Sequence, residues 1–289
     1  MKITKMTNLA CPLDGLPLLV DEKQCVCPHG HSFDVARQGY VNLLPVQHKR
    51  SKNPGDSTAM IFARTVLLNS GVYAPIADKL NAITHELVAG HPGQELCLLD
   101  AGCGEGYYLT QLLASLQQQP IQQDVALIGL DISKPAIHAA AKRSKQITWL
   151  IASNKQPPLS PYSVDIIFCL FGFPVYESFK QLLTPAGKII LVEAGPEHLL
   201  ELRTIIYPTV TKAPPPALAV AETTGFSLCD QSRLTYSSKL NSTTQIMNLL
   251  AMTPHYYRAS QAGMQAAQQL ETMDITVDVV FRVLERGTG

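Results

Sequence analysis

The chain has little charge and no surplus of either sign. Lys and Arg together number 23, Asp and Glu also number 23, and charged residues make up only 16% of the 289. Such a balance creates no global positive field, so any contact with nucleic acid must rest on a local patch. Long hydrophobic runs are missing too. The most apolar stretch, Ile166 to Val175, is far too short to cross a bilayer, and residues 1–10 lack the apolar centre of a signal peptide. The 7 cysteines are odd in number and without framework spacing, which argues against a disulfide scaffold and for a reducing compartment. No internal repeat or low-complexity segment is visible. These absences point to a soluble cytoplasmic protein, and 46% hydrophobic content suffices for one large domain with one or two small ones.

The order of segments predicts an α/β fold. A helix is expected to start at the N-cap Ser57, with Met60, Ile61, Val66 and Leu67 on its apolar stripe, and to end near Gly71. Another is expected from Ala74 to Val88. Strand-like and helix-like stretches then alternate: Leu96–Asp100, Tyr107–Leu116, Val125–Asp131, Pro135–Arg143, Ile147–Ile151, Asp165–Leu170, Tyr176–Leu183, Lys188–Glu193 and Glu197–Ile206. Alternation of this kind predicts a parallel sheet with helices on both faces. After the extended connector Pro214–Pro216, Phe226–Leu234 and Ile275–Leu284 read as two further strands. The second alternates Ile275, Val277, Val279, Phe281 and Val283 with Thr276, Asp278, Val280 and Arg282.

Chemistry enters where the first parallel strand ends. Leu98-Leu99-Asp100 runs into Gly102, Gly104 and Gly106, and helix-forming residues resume at Tyr107. Glycines at such a turn let the backbone approach a ligand and adopt angles that a Cβ forbids. The second strand ends in Asp131, an acid placed for a ribose diol at the ligand-binding edge of an open α/β sheet. With Asp100 and Glu105 the turn is acidic, which repels a pyrophosphate and suits a cationic, phosphate-free nucleoside. S-adenosylmethionine is such a ligand. The segment resembles motif I of the seven-stranded methyltransferases, which implies a Rossmann-like S-adenosylmethionine-dependent domain closed by an antiparallel pair. Cys103 reads as a small residue in a tight turn.

A second constellation precedes it. Cys11-Pro12-Leu13-Asp14 and Cys27-Pro28-His29-Gly30-His31 form two knuckles separated by a loop, a spacing typical of zinc sites. Cys11, Cys27 and His31 are good ligands, and Asp14 stands where a second cysteine is usual. Cys25 offers an alternative by a different loop path, and the same knuckles can also persist as turns without metal. So short a segment needs a staple to fold.

Between the two lies the block Gly39-Tyr40-Val41-Asn42-Leu43-Leu44-Pro45-Val46-Gln47-His48-Lys49-Arg50-Ser51-Lys52, followed by Pro54-Gly55-Asp56-Ser57. Together with Ala63-Arg64, Gly71 and Tyr73, Gly195-Pro196, His198-Leu199 and Met252-Thr253-Pro254, it resembles the bacterial 23S ribosomal RNA guanine-N1 methyltransferases across nearly the whole chain. That resemblance implies methylation of one guanine in the helix 35 hairpin, a small zinc-ribbon-like N-terminal module and a homodimer, with neither membrane nor DNA as partner. It divides the chain into a zinc module (1–36), a basic linker and helix that meets RNA (37–72) and a methyltransferase domain (73–289). It also implies that Gly104, Glu105, Tyr73 and His198 contact the cofactor, beside Asp100, Gly102 and Asp131 of the turn. Read without it, Tyr73 is a packing residue at a helix end and His198 a helix cap.

Lys49, Arg50 and Lys52 can neutralise phosphates, and Tyr40 and His48 can stack on an unpaired base. One departure stands out: Phe171-Gly172-Phe173 replaces the family's aromatic-Ala-Pro, altering the pocket wall where the target base enters. Two other readings fit the same residues: methylation of a small molecule with a purely structural N-terminal module, and a non-catalytic RNA-binding protein on the same fold. Guanine N1 carries a proton near neutral pH, so a general base or stabilisation of charge at O6 is expected, and no residue is assigned to that role.

Overall fold

The computed structural model describes residues 2–4, 7–48, 51, 53–91, 93–119 and 121–287, except that nothing is described of the His48 side chain. The first strand, β1 (Ile3–Thr4), is followed by a small antiparallel sheet of β2 (Leu19–Val20), β3 (Gln24–Val26) and β4 (Ser32–Asp34), in the order β2-β3-β4. This is the knuckle-bearing module. β5 (Tyr40–Asn42) follows, then helices α1 (Thr58–Asn69) and α2 (Ala74–Ala89). The Ser57 hydroxyl accepts the Met60 N–H, so α1 begins where the capping residue predicts.

Alternation then proceeds as expected: β6 (Glu95–Ala101), α3 (Tyr107–Gln118), β7 (Asp124–Asp131), α4 (Lys134–Arg143), β8 (Thr148–Ile151), β9 (Val164–Leu170), α5 (Tyr176–Leu182), β10 (Leu183–Ala194) and α6 (Leu200–Ile206). After a short α7 (Ala219–Thr223), the long β11 (Phe226–Leu240) leads through α8 (Thr243–Ala251) and α9 (Gln261–Gln268) to β12 (Met273–Arg286). The strands order as β11-β12-β10-β9-β6-β7-β8-β5, with β1 also paired to β7. β12 is antiparallel to both β10 and β11, and the other pairings are parallel.

Seven of these strands are the expected ones, arranged as a doubly covered parallel sheet with an antiparallel end. β6, β7 and β9 are buried almost throughout, as strands packed by helices on both faces must be. One face packs on α2, α3, α4, α6, α8 and α9, and the other on α5, α7 and the N-terminal module. Trp149 of β8 is the largest fully buried side chain and lies against Gly106 and Gly129. A Cβ at either glycine would overlap its indole, so bare backbone lets strand and turn close around the ring.

Two regions differ from expectation. The linker expected from residue 37 supplies β5, which extends the sheet beside β8 in the register Tyr40–Trp149. Three residues are too few for periodicity to show, and pairing with β8 is what makes them a strand. α8 and α9 were not expected either, although Ser242 and Ser260 cap them with hydroxyls accepting from Gln245 and Gly263. Among the described residues no single helix is long and apolar enough to cross a membrane.

Candidate active site and metal centre

Gly102, Gly104 and Gly106 all have positive φ, and the turn hangs from β7 through Gly102 and Cys103 amides donating to the Leu130 carbonyl (2.8 and 3.0 Å). The Gly104 amide donates to Asp131 Oδ2 (2.9 Å) and that of Ser133 to Oδ1 (2.7 Å), which fixes the carboxylate at the sheet edge. Burial pushes the Asp131 pKa up, against those two backbone donors. Asp100 lies deeper, 2% exposed, and its Oδ1 has no hydrogen-bond partner. Burial first, and the charge of Asp131 second, push its pKa up to about 8. Glu105 is also enclosed. One of its oxygens is held by Nε of Arg143 on α4, the other has no partner, and burial raises its pKa in spite of the arginine. The Cys103 thiol is raised well above its ordinary value by burial, which leaves it an inert turn residue.

An aromatic wall stands at the end of β9, the strand paired with β6. Tyr73, at the N-terminus of α2, and His198, just before α6, are joined Oη to Nε2 at 3.2 Å. The Asp278 amide donates to His198 Nδ1 (3.2 Å), so the neutral ring carries its proton on Nε2 and donates it to the tyrosine. Burial holds the His198 pKa down at about 4. Phe171 lies over the same imidazole, centroids 5.8 Å apart at 27°, and is held at φ +51° with its amide donating to Val192 O (2.8 Å). A non-glycine residue in that region stores about 1 kcal/mol or more of strain, a common feature of binding edges. Phe173, the departure from the family pattern, is 90% exposed.

Three further residues belong here that motif reading did not assign. Arg64 of α1 reaches over the turn: its Nη1 lies 3.2 Å from where a Cβ on Gly104 would stand. It pairs with Asp56 (2.6 Å), and its Nη2 donates to the Met252 carbonyl (3.2 Å). Asn154 sits 3.7 Å from the corresponding point on Gly102, with its buried Oδ1 unpartnered. Arg64 and Asp56 fall within the family-like segments, but only folding shows them at the turn, some forty residues away in sequence.

Buried acceptors without partners on Asp100, Glu105 and Asn154 lie at or beside a turn with one further acid, Asp131, at the sheet edge and one guanidinium, Arg64. That set suits a ligand bearing hydroxyls, an amine, a positive charge and one carboxylate, as S-adenosylmethionine does.

The metal candidates converge as the knuckle spacing predicts. Ligand atoms of Cys11, Asp14, Cys27 and His31 all lie within 4.8 Å of one another. His31 Nδ1 is 3.5 Å from Cys11 Sγ, 3.3 Å from Cys27 Sγ and 3.1 Å from Asp14 Oδ2, and Cys27 Sγ is 3.5 Å from the same oxygen. Bonds of about 2.0–2.3 Å in a tetrahedral zinc site put ligand atoms roughly 3.3–3.7 Å apart, so the set fits that ion. The turns explain the convergence: Gly15 and Gly30 amides donate back to the Cys11 and Cys27 carbonyls, and the Leu16 amide takes Asp14 Oδ1, leaving Oδ2 for the cluster. Cys25 instead faces the hydrophobic core and is fully buried there.

The residues read as RNA contacts fare differently. Tyr40 is a correction: it is 8% exposed, paired in β5 and set edge-on to His138, so its ring is a core element with no face free for a base. Its place in a strand, invisible in the sequence, is the reason. His48 lies in a single 3-10 turn (Val46–His48). Lys49, Arg50 and Lys52 lie outside the described residues.

Comparison with known proteins adds to this geometry. Residues 9–52 match the family described as "RlmA, N-terminal", and residues 98–188 the family described as "Methyltransferase domain". A Streptomyces fradiae protein named 23S rRNA (guanine(748)-N(1))-methyltransferase is 34% identical over 203 residues, 70% of this chain and 69% of that protein. A Bacillus subtilis (strain 168) protein, provisionally named a 23S rRNA (guanine-N(1)-)-methyltransferase, is 29% identical over 274 residues, 93% of this chain and 94% of its own. Among solved structures, the cyclopropane synthase MmaA2 from Mycobacterium tuberculosis overlays with a TM-score of 0.41 at 19% identity, covering 70% of this chain and 82% of that one.

Proposed function

The chain belongs to the 23S rRNA (guanine-N1)-methyltransferase family, and from that premise we propose that it methylates N1 of a guanine in helix 35 of 23S rRNA, as a homodimer. It is an S-adenosylmethionine-dependent enzyme with a structural zinc. The observation that carries the reading is the pairing, in one chain, of the Cys11–Asp14–Cys27–His31 cluster with the Gly102–Gly106 turn and Asp131.

When bound, S-adenosylmethionine supplies a methyl group already activated on a sulfonium, so positioning carries much of the catalysis. Asp131 takes the ribose diol, and Gly102 and Gly104 leave room for the backbone to lie along the ligand. Glu105, and Asp100 once a cationic ligand draws off its proton, would provide negative potential for its cationic end. Arg64, over Gly104, would take the ligand's carboxylate. Tyr73 and His198 fix the wall on the far side, with His198 uncharged near neutral pH and therefore no source of repulsion toward a sulfonium. Phe171 and Phe173 flank the entrance and offer faces on which an unstacked guanine can lie. Cys11, Asp14, Cys27 and His31 hold zinc and so fix the module that carries the following basic segment. His48, Lys49, Arg50 and Lys52 contact the phosphates and bases around the target, a role the chain divides among residues 37–72 between the module (1–36) and the catalytic domain (73–289).

Primer extension across 23S rRNA from cells with and without the protein tests the assignment. An N1-methyl group blocks Watson–Crick pairing and stops the polymerase. One stop in helix 35 that disappears with the protein is the expected result, and an unchanged pattern overturns the assignment. Light scattering of the purified protein at the mass of two chains checks the dimer.

A further inference from the structure

A cleft of about 920 Å³ runs between α1 and α4, and none of the aromatic wall lines it. Its α4 wall presents Lys134, His138 and Lys142, spaced by four and so stacked on one helix face at about 6 Å per step. Both lysines are exposed, and neither takes part in an ion pair among the described residues. Burial, then the charges of Lys142 and Lys134, lower the His138 pKa, so the imidazole stays neutral between two cations. Tyr40 backs that ring from the core. The α1 wall is of the opposite character, with Ile61, Thr65 and Phe62, which is 68% exposed. Arg143 ties the walls together by donating to Asn69 (3.0 Å), and Ile132, next to Asp131, forms part of the floor.

A row of uncompensated cations across a trough from an exposed aromatic matches a polynucleotide strand, whose phosphates and bases lie on opposite edges. We propose that this cleft is a track for a single-stranded stretch of the RNA substrate, with phosphates along Lys134 and Lys142 and a base on Phe62. Eight residues apart on α4, the lysines stand about 12 Å apart, so they take phosphates that are not adjacent, and the cleft leads a strand to Ile132, beside Asp131 at the sheet edge. The proposal rests on the RNA reading above, and it adds a second contact surface on the catalytic domain itself.

The test uses the full-length protein and an unmodified transcript of the helix 35 region. RNA binding is followed by fluorescence anisotropy at several salt concentrations, with S-adenosylhomocysteine binding followed by calorimetry. The double variant K134Q/K142Q is expected to bind the RNA at least tenfold more weakly and to lower the log–log salt slope by about 1.4, two single-strand phosphates' worth. K134R/K142R should restore both. F62A should weaken RNA binding several-fold without altering the slope, and all variants should bind S-adenosylhomocysteine like the parent. Unchanged RNA affinity and slope in K134Q/K142Q overturns the track while leaving the RNA reading intact. Parallel loss of S-adenosylhomocysteine binding overturns it as well, making the cleft part of the cofactor site. A parent protein that fails to bind the transcript removes the RNA reading and the track together.

Discussion

Asp100 is the residue whose protonation the site most depends on. Enclosed, beside Asp131 and with one oxygen unpartnered, it is held largely protonated at neutral pH by a pKa raised to about 8. A ligand that brings positive charge next to it favours the ionised form, so binding expels a proton. Affinity for S-adenosylmethionine should rise with pH by up to about tenfold per unit below pH 8 and level off above it. Calorimetry in buffers of different ionisation heat should register the released proton. In D100N the dependence should flatten, and a flat profile in the parent would refute the coupling. Arg64 makes the complementary prediction. If it takes the carboxylate, R64Q should lose about tenfold or more in affinity for S-adenosylhomocysteine and almost nothing for 5′-methylthioadenosine, which lacks that group. Equal losses would reduce Arg64 to a structural tie between α1 and Met252. The glycines and Asp100 could be read as one turn because their spacing is local, and Asp131 from its place at the end of the next strand. Arg64, Asp56 and Asn154 could not, since no local spacing links them to it. Tyr40 was misread because an aromatic beside cations looks the same whether it faces solvent or a strand partner.

At the level of elements, the antiparallel end of the sheet is pinned by a charge inside it. Asp278 of β12 is fully buried, accepts from Arg233 of β11 (2.6 and 2.7 Å) and from the Glu197 amide (2.9 Å), and presents its own amide to His198. The guanidinium hydrogen bonds, above all, hold its pKa below the ordinary carboxylate value. Because the folded value is the lower one, this contribution is complete above about pH 5 and is lost as pH falls through the carboxylate range. D278N should cost about 1–3 kcal/mol at pH 7, less at pH 3, with Arg233 half-exposed and its share screened. Urea melts at the two pH values check this, and a loss that does not shrink on acidification contradicts it. The alternation in Ile275–Val283 placed Asp278 on the face away from the main core. It did not show that this face is covered too, because burial there comes from β11 and the Gly195–Glu197 turn. α8 and α9 escaped notice because they are short, of 9 and 8 residues, although their apolar faces pack against α1 and α6.

For the whole molecule, the metal centre is continuous with the catalytic core. Leu9, Cys11, Leu18, Cys25 and Cys27 share one apolar cluster with Val41, Leu43, Leu150, Ala152 and Leu159 beneath the sheet. Zinc removal should therefore lower the melting temperature of the entire chain in a single transition, by more than about 4 °C, and metal analysis should find one zinc per chain. A separate early transition would mean the module melts alone, and absence of zinc in the purified protein would dismiss the site. Sequence alone determined which chemistries are present: a glycine turn with acids at strand ends, paired knuckles, and a period of alternation that admits a parallel sheet. These are local patterns, fixed by backbone geometry and ligand spacing within a few residues. Tertiary structure alone decided what surrounds them. It swung Arg64 over the turn, buried Tyr40 and Asp278, and opened a two-faced cleft between α1 and α4. Each of those depends on long-range packing, where burial and desolvation assign a side chain its role only after distant segments meet.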